Sequence, residues 1–249
     1  MKINYFYLKI PCLMKYLNLI AFVFMITMNY LANALPLNGK TTGQLSDQYP
    51  NLFTPAGITF SIWGVIYLLL LVFIILQLWG SQQKLVSSMG WAFVASALFN
   101  GLWILAWHYE RTGLSVLIML GLLASLIFIN QRLALQPFSI TKFAFGIYLG
   151  WICIATIANI TALLVSLNFA GWSISAEAWT IALIGIGAII TMITMARLNN
   201  PWLALAVGWA FAGIIIKRHT DYQSIVIASA IALVLVLAAG AWLLSRKIA

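Results

Sequence analysis

Apolar positions in this chain come in runs of about 20 residues broken by short polar stretches, the length of helix that crosses a bilayer core. Eight such runs are marked out, at approximately 17–36, 57–78, 88–108, 113–132, 143–166, 175–196, 202–217 and 223–245. A membrane barrel would instead alternate apolar and polar residues in stretches of about 10. The pattern therefore predicts an all-α polytopic membrane protein. The seventh run is the shortest, and Lys217, Arg218, His219 and Asp221 follow it directly.

Composition agrees: 64% of residues are apolar and only 7% charged, against roughly 25% charged in soluble domains. A net charge of +9 would suggest nucleic acid if it were clustered, but the charges lie between the apolar runs. Placing the N-terminus in the cytoplasm puts Lys2, Lys9, Lys15, Lys84, Arg132, Lys142, Arg197, Arg246 and Lys247 inside. Lys40, Arg111, Lys217 and Arg218 fall outside, the bias the positive-inside rule expects. All four acids, Asp47, Glu110, Glu177 and Asp221, also fall outside. Eight spans then leave both termini cytoplasmic. Ala32-Asn33-Ala34 imitates a signal-peptide cleavage site, but the preceding apolar run is long for one, so the first span is expected to be retained. Cys12 and Cys153 occupy different settings, so no mutual disulfide is expected; no metal-binding cluster is present in the sequence.

The long outer connection at 37–56, rich in Gly, Thr, Asn, Asp and Pro, reads as a turn-forming loop of the kind that serves as a lid. Thr54 is expected to cap the second long helix and Pro55 to sit in its first turn. Below that loop, helical spacing groups candidate site residues. Trp63 and Tyr67 share a face of the second span, Asn100, Trp103 and Trp107 a face of the third, and Trp151, Ala155 and Asn159 a face of the fifth. At about 1.5 Å per residue, Trp63, Trp103 and Asn159 lie roughly 8–10 Å below the outer helix ends. Asn100 and Asn159 must be hydrogen-bonded in the bilayer, whether to a neighbouring helix or to a ligand. Trp79, Trp91, Trp172, Trp202 and Trp242, near span ends, read as an interfacial belt. His108, beside Glu110 and Arg111, is either a haem-ligand candidate or a polar helix end. No phosphate loop, nucleophile elbow or zinc-protease motif appears in the sequence, and no acid lies deep in a span.

Pro55, Trp63 and Tyr67, then Asn100 and Trp103, then Trp151, Ala155 and Asn159, in that order and spacing, resemble the TspO/MBR family. These are the tryptophan-rich sensory proteins related to the translocator protein, or peripheral benzodiazepine receptor. The resemblance covers about residues 17–167. It implies a five-helix bundle that binds porphyrins, sterols or similar hydrophobic ligands under the first loop, and homodimers. The chain departs from the family pattern at Phe53-Thr54-Pro55-Ala56, where a Trp and a second Pro are usual. It departs again at Trp107-His108, where Phe-Phe is usual, and at Gly146-Ile147-Tyr148, where a Pro-Tyr pair is usual. Residues 168–249, with three further spans, have no counterpart in a five-helix member, and 1–16 form a cytoplasmic lead.

The expectation is a non-enzymatic binding or sensory protein, integral to a bacterial inner membrane. Its partners would be the lipid bilayer and a planar hydrophobic ligand, with porphyrin or haem as ligand, no required cofactor and no metal. A transporter of a small hydrophobic or zwitterionic solute and a tetrapyrrole-degrading enzyme are the alternatives.

Overall fold

A computed structural model describes residues 5–35, 37–79, 83–169 and 171–246, with the side chains of 5–12 and 83 left aside. Among these residues all regular structure is helical: α1 Tyr5–Ala34, α2 Thr42–Asp47, α3 Ile62–Leu78, α4 Gln83–Met89, α5 Ala92–His108, α6 Thr112–Leu133, α7 Ile140–Ser166, α8 Ala176–Leu198, α9 Leu203–Arg218 and α10 Gln223–Ser245. A 3₁₀ turn, Gly57–Ser61, leads into α3. Six helices are long and apolar enough to cross a membrane; α5, at 17 residues, and α9, at 16, are shorter. Side chains such as Ile231 and Val234 on α10 stand more than half exposed, as lipid-facing positions should. The protein is an all-α polytopic membrane protein.

Helix ends follow local chemistry. Ser139 and Ser175 accept from the Lys142 and Ala178 amides and so cap α7 and α8. Asn199 closes α8 in the left-handed region.

Several expectations change. The first helix starts at Tyr5, so the lead ascribed to 1–16 is helical from there on, and residues 1–4 lie outside those described. The run at 88–108 is divided: α4 ends at Met89, and Gly90, at φ +55°, turns the chain into α5. Lys142, assigned to an inner loop, is fully buried in the first turn of α7. Its Nζ donates to the Ala134 and Gln136 carbonyls at 3.0 and 2.9 Å. Trp79, Trp91, Trp172 and Trp242 are exposed, but Trp202 packs edge-on against Phe143 at 4.9 Å.

Of the C-terminal helices, α8 and α9 contact α7, while α10 packs on α8 and α9. At Gly150 an added Cβ would lie 2.6 Å from the Leu203 carbonyl oxygen, so only glycine lets the start of α9 approach so closely. Nearby, Asn200 donates to Asn130 Oδ1 (2.8 Å) and to the Lys142 carbonyl (3.0 Å), and Asn130 donates to the Phe145 carbonyl. Buried amides thus find partners within the bundle, as a bilayer requires.

Candidate functional site: an indole-lined cavity under the 37–56 loop

The three predicted faces meet. Trp63 stacks on Tyr67 (ring centroids 5.5 Å apart) and lies 6.1–6.2 Å from Trp103, Tyr148 and Trp151. Trp103 in turn stacks on Trp107 at 5.9 Å. Around these rings is a cavity of about 50 Å³. It is lined by Trp63, Trp103, Trp107, Trp151, Ala155 and Asn159, together with Thr54 and Pro55 of the 37–56 loop. Thr42, Ser46, Phe60, Ile154 and Ala158 complete the lining. The indole N–H groups of Trp103 and Trp151 are buried and have no partner in the protein.

Tyr67 and Asn100 lie one layer deeper and do not line the cavity. Asn100 accepts from Asn29 Nδ2 at 2.6 Å and donates to the Tyr148 hydroxyl at 2.9 Å, so its carboxamide joins α1, α5 and α7. The Tyr67 hydroxyl is placed beside that pair. Asn159 reaches the cavity while its Oδ1 accepts from Ser115 of α6 at 3.0 Å. Of the two asparagines, Asn100 joins helices without reaching the cavity, and Asn159 both joins helices and lines it. Beneath them Phe73, Phe93 and Phe145 form a fully buried triangle with centroids 5.2–6.1 Å apart.

The roof is more ordered than its composition suggested. Residues 42–47 form α2 with a reciprocal cap: Thr41 accepts from the Gln44 amide, and the Gln44 side chain accepts from the Thr41 amide. Thr54 does not cap the following helix. Its amide and hydroxyl both donate to Asn51 Oδ1, and Ala56 takes the cap position with its own N–H given to the Gly213 carbonyl. His108 is a fastener for this roof. Its Nδ1 meets the Leu37 carbonyl and its Nε2 the Thr42 hydroxyl, each at 3.1 Å, and its carbonyl accepts from Asn38. Both nitrogens are engaged and the side chain does not line the cavity, so it is placed as a polar helix end.

Helix α9 holds the other side of the roof. Arg218 donates to the Asn51 and Leu52 carbonyls at 2.7 and 3.1 Å, Lys217 pairs with Asp47 at 2.9 Å, and Trp209 donates to the Thr59 carbonyl at 2.8 Å. These contacts, and the ring contact of Tyr49 with Trp107 at 5.7 Å, were not anticipated from the sequence. The Thr41/Gln44 pair was the one local signal available for α2.

Fold and site together define a polytopic helical membrane protein with a tryptophan-walled cavity beneath the 37–56 loop. The model of the TSPO-like protein family matches residues 15–242, running through the C-terminal helices as well as the first five. The chain belongs to that family. Neither curated proteins nor solved structures provide a match to it.

Proposed function

We propose that this protein binds a flat, largely apolar molecule of porphyrin or sterol shape in the cavity beneath the 37–56 loop, as a binding or sensory protein and not as an enzyme. One observation carries the reading. Four indoles from three helices converge on one space, and two of them leave buried N–H donors without a protein partner. Indole faces favour planar aromatic ligands, and unpaired buried donors favour an acceptor such as a carboxylate or carbonyl on the ligand edge. A space of about 50 Å³ accommodates only a few waters, so a macrocycle enters as the loop lifts. The loop is built for that: its fasteners are a handful of hydrogen bonds and two exposed ion pairs, Lys40–Glu110 and Lys217–Asp47.

The phenylalanine triangle and the Asn29–Asn100–Tyr148 chain lie under the cavity and favour a closed floor over a transport path. The distribution of basic residues favours cytoplasmic termini in a bacterial inner membrane. The test is protoporphyrin titration of the purified protein followed by tryptophan fluorescence. Trp63→Ala combined with Trp151→Ala should abolish saturable quenching while the protein stays folded. Saturable quenching that persists in this variant overturns the reading.

A further inference from the structure

The largest cavity described lies on the opposite face of α7 from the indole site. It is a groove of about 620 Å³ between α7 and α8, walled by residues such as Cys153, Ile157, Leu164, Leu183 and Ile190. That volume falls within the roughly 300–1,000 Å³ of small-molecule sites. The groove lies between two membrane-crossing helices, and Ile160, Ile186 and Ile190 along it stand exposed, so it faces bilayer hydrocarbon.

Its walls are mainly apolar, and most of their polar hydrogens are already used. The hydroxyls of Thr156, Thr161 and Thr180 donate to the Ile152, Ile157 and Ala176 carbonyls of their own helices, and the Trp179 indole donates to the Gly171 carbonyl. What remains for an occupant is mostly methyl groups and ring faces, a lining that favours hydrocarbon along this length.

The outer end differs. Pro50, Asn51, Leu52 and Ala176 belong both to this groove and to a polar recess of about 380 Å³ that contains Asp47, Lys217, Arg218 and Tyr222. Lys217 is neutralised by Asp47. Arg218 donates to main-chain carbonyls, and no carboxylate among the described residues bonds it, although Asp47 and Asp221 are near enough to feel its charge. An apolar slot that opens at the membrane surface beside a guanidinium has the layout of a phospholipid: chain below, phosphate above.

We infer that the α7–α8 groove is a specific site for one anionic phospholipid, with an acyl chain along Cys153–Leu164 and the phosphate at Arg218. The site is separate from the indole cavity and does not depend on what that cavity binds.

The experiment uses the full chain in nanodiscs containing phosphatidylglycerol with a diazirine on the acyl chain. Photo-crosslinks are mapped by peptide mass spectrometry, and lipid retention is followed by native mass spectrometry. Labelling should concentrate on groove residues of α7 and α8, with one phosphatidylglycerol retained per chain in preference to phosphatidylcholine. Two groove-filling variants, Ile160→Trp and Leu183→Phe, should each lower groove labelling by about tenfold, the size of a lost 1.4 kcal/mol contact. Labelling at Ile231 and Val234 should stay unchanged. Labelling in simple proportion to exposure around the whole bundle would mean boundary lipid only and overturns the site. Protein–protein crosslinks through the groove overturn it in favour of a second copy. Equal retention of the two lipids overturns the preference for an anionic headgroup.

Discussion

Replacing Gly213 with alanine tests whether α9 holds the roof of the cavity. A Cβ there would lie 2.0 Å from Thr59 Oγ1 and 2.9 Å from both Thr59 Cβ and Pro55 Cβ. Rotating Thr59 moves its hydroxyl away but not its Cβ, and Pro55 has no rotamer that retreats. The backbone of α9 must therefore back off from the loop. That movement stretches the Ala56 N–H to Gly213 carbonyl bond, now 3.0 Å, and the Trp209 bond to the Thr59 carbonyl, now 2.8 Å. Overpacking of a closely fitted contact costs about 1–3 kcal/mol. For a chain of this size that corresponds to a fall in melting temperature of roughly 2–12 °C. Thermal unfolding in detergent measures it, and amide hydrogen exchange locates it: protection at Ala56 and across 51–59 should drop while α6 and α7 keep theirs. Adding Thr59→Gly, which removes two of the three overlaps, should restore part of the loss. Unchanged exchange at Ala56 together with an unchanged melting temperature would refute the claim that α9 anchors the roof.

Two further outcomes separate packing from binding. Asn100→Ala removes the link between Asn29 and Tyr148 and should cost about 0.6–2 kcal/mol of stability, yet leave porphyrin affinity unaltered because Asn100 does not reach the cavity; lost affinity with normal stability would make it a ligand contact. His108→Ala frees Leu37 and Thr42 and should speed porphyrin association on the order of tenfold in stopped-flow quenching, from two released hydrogen bonds. An unchanged rate would show that the loop is not the gate.

Hydrophobic runs were enough to find the six membrane-length helices and the shorter α5 and α9, because in a bilayer length and apolarity are themselves the folding requirement. The indole cavity was legible for a similar reason: i, i+4 and i, i+3 spacing fixes which side chains share a helix face, and the short α5–α6 connection fixes neighbours. Contacts between distant stretches left no such trace. Nothing local says that Arg218 will meet the carbonyls of Asn51 and Leu52, or that Gly213 will touch Thr59, since each side is unremarkable until the other arrives. Lys142 misled for a different reason. A lysine at a helix start between spans looks solvated, and its burial depends on the Ala134 and Gln136 carbonyls folding back over it. Thr54 misled because Asn51, three residues earlier, captured its hydroxyl first.

The three C-terminal helices look like an addition to a five-helix design, but the contacts of α9 tie it to the roof of the cavity. The roof at 37–56 is joined to the body along two edges. One, at His108 and Glu110, belongs to the end of α5 and the turn after it; the other, at Gly213, Lys217 and Arg218, belongs to α9. Without α9 the rear edge, which carries the cavity residues Thr54 and Pro55, would have only its own Asn51 turn to hold it. That turn fixes a local bend but not the position of the bend over the indoles. Because α9 reaches α7 through Gly150 and the Asn200–Asn130 bond, the same helix that supplies Trp151 also sets where the roof is held. Wall and roof are thereby referenced to one element, α7, and the cavity keeps its shape only while α9 stays seated on it.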